Sequence, residues 1–136
     1  MKTAVRYYTK TGNTKKLAEA IAAAAGTEAL DITVPVAEDV DVLFLGSSVY
    51  AAGVDEAVKN FIKNIGVKVG TVANFSTAAL LPSTYNQVKK LVEAKGLTMS
   101  EKEYHCRGSF KFMHKGKPDE ADCAAAADFA KDLLNL

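Results

Sequence analysis

The stretch Thr3-Ala4-Val5-Arg6-Tyr7-Tyr8-Thr9-Lys10-Thr11-Gly12-Asn13-Thr14, running straight into Lys15-Lys16-Leu17-Ala18-Glu19-Ala20-Ile21, decides how this chain is read. Thr3 to Tyr8 is apolar and rich in β-branched and aromatic residues, the composition of a strand. Lys15 to Ala25 is Ala-rich, sets Leu17, Ala18, Ile21 and Ala25 on one helical face, and stops at Gly26. The turn between them gathers Thr9, Thr11 and Thr14 around Gly12 and Asn13. A helix N-terminus presents unpaired backbone N–H groups and the positive end of the macrodipole. Gly12 permits positive φ and close backbone approach. Such a loop can surround a phosphate with neutral donors. Lys10 is its one cationic side chain and is expected to point outward. The other reading is an ordinary N-cap, for which Thr and Asn also serve, although a cap requires only one such residue. Competing phosphate loops do not fit. There is no GxxxxGK[ST], no GxGxxG and no Cys-x5-Arg loop here.

Outward from this unit the chain keeps alternating. Glu28 to Val34 reads as a short second strand before Pro35. Val40 to Leu45 is the clearest strand, with Gly46 closing it. Asp55 to Ile65 reads as a helix, Val67 to Phe75 as a fourth strand, and a helix capped by Ser83 or Thr84 runs to about Lys95. Leu97 to Cys106 reads as a fifth strand and Asp119 to Leu134 as the last helix. This alternation predicts an α/β fold, a single domain over 1–136, with a parallel sheet covered by helices on both faces. The near-continuous apolar runs at 40–45 and 67–75 suit central strands buried on both sides. Five strands fit the doubly wound order 2-1-3-4-5, in which ligands bind outside the carboxyl ends of strands 1 and 3. Those ends are Thr9 to Thr14 and Ser47 to Gly53.

Composition narrows the class. The 136 residues are 49% hydrophobic and 24% charged, with a net charge of +1, so the whole molecule has no strong bias toward nucleic acid or a membrane surface. The charge is unevenly placed: Glu28, Asp31, Glu38, Asp39, Asp41, Asp55 and Glu56 fall between Thr27 and Val58, where there is no Lys or Arg. That run is either a set of solvated loop and cap charges or a functional acidic face. Cys106 and Cys123 form no CxxC and are expected to be free thiols in a cytoplasmic protein. No run of about 20 apolar residues is present to span a bilayer. His105 and His114 show no metal-ligand spacing, and no metal is expected.

The motif Tyr8-Thr9-Lys10-Thr11-Gly12-Asn13-Thr14 resembles the flavodoxin phosphate signature, (S/T)-x-T-G-x-T directly after the first strand. The resemblance implies a flavodoxin-like three-layer sandwich that binds one flavin mononucleotide (FMN). It places the phosphate on Thr9, Lys10, Thr11, Gly12, Asn13 and Thr14. It places the flavin ring between two loops, Ser47, Ser48, Val49, Tyr50 and Ala51 after the third strand and Ser76, Thr77 and Ala78 after the fourth. Tyr50 matches the ring-stacking aromatic. No side chain is implied as a catalytic acid or base. The implied function is a monomeric, low-potential electron carrier that docks redox partner proteins and neither nucleic acid nor membrane. Two alternatives stay open: a small FMN-dependent NAD(P)H or quinone reductase, and a flavodoxin-like binding module that has lost FMN. The basic, aromatic segment Arg107 to Lys117 either contacts an acidic partner or nucleic acid, or covers a hydrophobic edge with Phe110, Phe112 and Met113.

Overall fold

The computed structural model describes residues 1–50, 53–78, 83–108 and 116–136. Its elements are β1 (Thr3–Tyr7), α1 (Asn13–Ala25), β2 (Ala29–Asp31), β3 (Val40–Tyr50), β4 (Gly53–Val54), α2 (Glu56–Lys63), β5 (Val69–Ala78), α3 (Tyr85–Ala94), β6 (Tyr104–Arg107) and α4 (Glu120–Leu134). The sheet order is β2-β1-β3-β5-β6, with every pair along it parallel. The two-residue β4 folds back antiparallel on the end of β3. Counting only the five parallel strands, the order is 2-1-3-4-5, as the alternation of elements predicts.

Two apolar layers explain why these segments fold together. Successive residues of β3 point to opposite faces, so Val42 and Phe44 join one layer while Leu43 and Leu45 join the other. Leu17, Ala18 and Ile21 of α1 and Ala126, Ala130 and Leu134 of α4 cover the first. The many alanines let these helices approach the sheet closely, and Phe129 of α4 meets Phe44 edge-on, 6.1 Å between ring centres. Val58, Phe61 and Ile62 of α2 and Val88 and Val92 of α3 cover the second. Among the described residues no helix is long and apolar enough to cross a membrane.

The connection from β2 to β3 contains no helix among residues 32–39. Arg6, only 7% exposed, holds it against the sheet. Its guanidinium donates to the carbonyls of Val34 (2.7 Å), Pro35 (3.1 Å) and Val5 (3.0 Å). Burial lowers the Arg6 pKa from its usual value.

Several boundaries differ from those expected. Gly46 does not close β3; the strand continues to Tyr50, and Ser47 and Ser48 pair with Ser76 and Thr77 of β5. The glycine is required by packing, because a Cβ there would lie 2.2 Å from the Phe75 ring. Ser76, Thr77 and Ala78 likewise belong to β5 and not to a loop. Helix α1 begins at Asn13, so Asn13 and Thr14 form its first turn. β2 is cut short after Asp31, whose carboxylate accepts from Thr33 N (2.8 Å) and whose carbonyl accepts from Val34 N (2.9 Å), turning the chain away. β6 is confined to Tyr104–Arg107; upstream, Met99 makes only an isolated bridge to Val72.

Candidate functional site

At the carboxyl end of the sheet the chain gathers hydroxyl groups. Gly12 adopts φ 90°, the left-handed region, and forms the N-cap of α1. Its N–H donates to Thr9 Oγ1 (3.0 Å), which closes the Thr9–Gly12 turn on itself. The first helical bond runs from Lys16 N to Gly12 O (3.3 Å), and no acidic residue lies in the first turn to offset the positive helix end. Thr14, in that first turn, is fully buried and points inward. Its hydroxyl bonds that of Ser48 from β3 and lies 3.0 Å from that of Thr77 in β5; Ser48 and Thr77 are 3.2 Å apart. Three hydroxyls from three separate elements therefore meet at one point.

A second network lies on the opposite face of the sheet. Ser47 Oγ donates to Thr84 Oγ1 (2.9 Å), and Asn74 Nδ2 donates to the same oxygen (3.2 Å). Thr84 N in turn donates to Ser76 Oγ (3.4 Å), tying the start of α3 to β5. No buried side-chain nitrogen or oxygen among the described residues lacks a partner. These buried polar groups at the sheet end are therefore held in place rather than left at a cost.

The charged rim is simple. Lys10 points outward, its side chain 55% exposed, and its Nζ lies 3.6 Å from Asp55 Oδ2. Asp55 caps α2, accepting from Ala57 N at 2.9 Å. That backbone bond, then the Tyr8 hydroxyl and Lys10, hold the Asp55 carboxyl below its ordinary pKa against the opposing effect of burial. The acidic run does not form one face. Glu38 pairs with Lys2, Asp39 accepts from Lys68 N, and Asp41 accepts from Lys2 N, all at the start of β3, whereas Asp31 and Asp55 lie at the opposite end of the sheet.

The structure thus brings Thr14 together with Ser48 and Thr77 on the α1 face of the sheet, whereas the side chains of Ser47 and Ser76 turn to the other face and bond Thr84, and Thr9 and Gly12 close their own turn. Gly108 closes the far side, since a Cβ there would lie 2.9 Å from Asn13 Nδ2 and 3.1 Å from Thr77 Cβ. Reading the residues one loop at a time missed the side chains of Ser48 and Thr77 as partners of Thr14. Thr84, expected as a helix cap, makes no side-chain cap bond and instead accepts from Ser47 and Asn74. Tyr85, at the start of α3, donates its hydroxyl to Ser100 O at 2.8 Å. Ala51 and the side chains of Val49 and Tyr50 lie outside the described residues, as do Phe110, Phe112, Met113 and His114. Cys106 is half-buried, and burial pushes its thiol up to about 12, so it is no ready nucleophile.

The chain matches the flavodoxin domain family over residues 4–121. It belongs to that family. The flavodoxin fold is seen equally in solved structures. A flavodoxin from the domain Archaea superposes with a TM-score of 0.83 at 16% identity, covering 99% of this chain and 97% of the other. Flavodoxin 1 from Bacillus cereus does so at 0.73 and 17% identity, covering 99% and 98%. Rubredoxin oxygen:oxidoreductase from Desulfovibrio gigas aligns at 0.67 and 12% identity, where 95% of this chain covers 34% of that one. No curated protein sequence matches this flavodoxin-family chain.

Proposed function

We propose that this flavodoxin-family protein binds one FMN at the carboxyl ends of β1, β3 and β5 and carries electrons with it between redox partner proteins. The supporting observation is the convergence of the Thr14, Ser48 and Thr77 hydroxyls beside the positive end of α1. Each hydroxyl can rotate its proton from its neighbour to an oxyanion. Three neutral donors, with the amides of Asn13 and Thr14 and the hydroxyls of Thr9 and Thr11, suit a phosphate monoester dianion, while the Gly12 amide holds Thr9 in the turn. Lys10 is held at the rim by Asp55 and screens that charge without entering the cluster.

In this reading the segments that follow Ser48 in β3 and Thr77 in β5 flank the flavin ring, with Val49, Tyr50 and Ala51 on one side and Ala78 on the other. The flavin supplies the redox chemistry when bound. The protein's part is to anchor the phosphate, keep water from the ring and present its edge to partners. No side chain here serves as a proton donor or acceptor in a reaction. The protein acts as a cytoplasmic monomer.

The test is direct. Purified protein should be yellow and should release FMN on denaturation. Apoprotein should bind added FMN, and Thr77→Val with Ser48→Ala should weaken that binding by at least tenfold while leaving the circular dichroism unchanged. Release of FAD as the dominant flavin, or failure to bind FMN, defeats the proposal. The near-neutral charge, +1, favours one second reading, an FMN-dependent NAD(P)H or quinone reductase, since a carrier working by charge alone needs a strongly signed surface. Turnover of NAD(P)H and a quinone at about 1 s⁻¹ or faster without a partner protein would establish that alternative.

A further inference from the structure

The helix-free connection between β2 and β3 leaves an open cleft of about 420 Å3 on the sheet face opposite α1. Ligand pockets are commonly of this size. Tyr8 and Ile32 line it just beyond the ends of β1 and β2, and Asn60 and Phe61 of α2 with its C-cap Asn64 line it from the other side. Asp31, at the carboxyl end of β2, is part of the lining. None of these residues belongs to the hydroxyl cluster around Thr14.

The chemistry of the lining is specific. The Tyr8 hydroxyl is engaged by Asp55, so its ring is held in place as an apolar wall. The side-chain amides of Asn60 and Asn64, one helical turn apart, bond no other described residue, which leaves two donor–acceptor pairs open to a ligand. A carboxamide matches the adjacent acceptor and donor of an adenine edge, N7 and the N6 amino group. Aromatic and apolar side chains offer a stacking surface for the base. Asp31 uses Oδ1 to accept from Thr33 N, and its Oδ2 takes no hydrogen bond from a described residue. A carboxylate oxygen with no donor of its own can accept from the vicinal hydroxyls of a ribose.

We infer that this cleft binds the adenosine moiety of a nucleotide, with Asp31 accepting from the ribose hydroxyls, Asn60 and Asn64 meeting the base edge, and Tyr8 and Phe61 packing against the base. Two sources present the same moiety: a nicotinamide dinucleotide, or a free adenine nucleotide. The assignment stands on the cleft and not on the flavin reading.

Adenosine itself is the probe, because it lacks the phosphate that the Thr14 cluster would attract. Calorimetric titration should show saturable binding to both the apoprotein and the FMN-loaded protein. Asp31→Asn should weaken it about tenfold or more, the scale of a hydrogen bond to a charged acceptor. Wild type should prefer adenosine to 2′-deoxyadenosine, and Asp31→Asn should abolish the preference. Asn64→Leu, at an exposed helix end, should weaken adenosine binding and leave FMN binding unchanged. Parallel titrations of NADPH and of AMP into the FMN-loaded protein identify the source, as the tighter ligand whose affinity falls in Asp31→Asn. No saturable binding at millimolar adenosine, or binding that ignores both substitutions, overturns the assignment. FMN titration of the same samples reports the flavin site separately, so the two conclusions fail independently.

Discussion

The hydroxyl of Thr14, in the first turn of α1, lies 3.0 Å from that of Thr77, near the end of β5, although 63 residues separate them in the chain. The contact exists because β3 lies between β1 and β5 and its register sets Ser48 opposite Thr77. Replacing Thr77 by Val keeps the shape and removes the hydroxyl. Thr14 and Ser48 still bond each other, so stability should fall by only about 1 kcal/mol. FMN affinity should fall about tenfold. Thermal unfolding beside FMN titration of the same samples separates the two effects, and an equal loss in both would mean that the cluster is merely structural.

Gly12 has open space around its Cβ position but sits at φ 90°. Gly12→Val should therefore cost about 1–2 kcal/mol from backbone strain and leave the fold intact. The branched side chain would stand where the phosphate is proposed to sit. Loss of FMN binding with unchanged far-ultraviolet circular dichroism is expected; normal FMN binding would remove the Thr9–Thr14 turn from the site.

Gly46 presents the opposite case, since its backbone is unstrained and its surroundings are full. A Cβ would meet the Phe75 ring at 2.2 Å and Thr14 Cγ2 at 2.9 Å. Gly46→Ala should destabilise the protein by about 1–3 kcal/mol through overpacking at the centre of the sheet. A chemical-denaturation midpoint equal to that of wild type would show that Phe75 can move aside freely.

Arg6 is a buried cation whose acceptors among the described residues are all carbonyl oxygens. Arg6→Met should cost about 2–4 kcal/mol, because the carbonyls of Val34 and Pro35 lose their donors and the 32–39 connection loses its tether. Arg6→Lys should not rescue it, since one ammonium cannot reproduce the guanidinium fork. Faster amide exchange confined to residues 32–39 is the local signature. A uniform change across the sheet would contradict this role.

The pKa of Asp55 is lower in the folded protein than in the unfolded chain, owing to Ala57 N–H, Tyr8 and Lys10. Its contribution to stability is therefore complete above the ordinary carboxylate range, near pH 4, and is lost as pH falls through the folded value. Asp55→Asn keeps a capping oxygen but removes this dependence. The variant should show a shallower loss of stability below about pH 4 than wild type. Parallel pH profiles for the two proteins would show that the fold does not hold the Asp55 carboxyl below its ordinary range.

By itself the sequence determined the alternation of strands and helices, the parallel sheet and its order, the helix stops, and the position of the Thr9–Thr14 turn at the first strand's carboxyl end. These features are local: apolar spacing, β-branched runs and a glycine at a cap are properties of neighbouring residues. It did not show that β3 runs on through Gly46, because that depends on the Phe75 ring lying over the glycine. Nor did it show that Thr14, Ser48 and Thr77 share one point, that Arg6 stands in for a crossover helix, or that the acidic run is split between the two ends of the sheet. Each of these joins residues far apart in the chain, and only strand register and the packing of the layers bring such residues together.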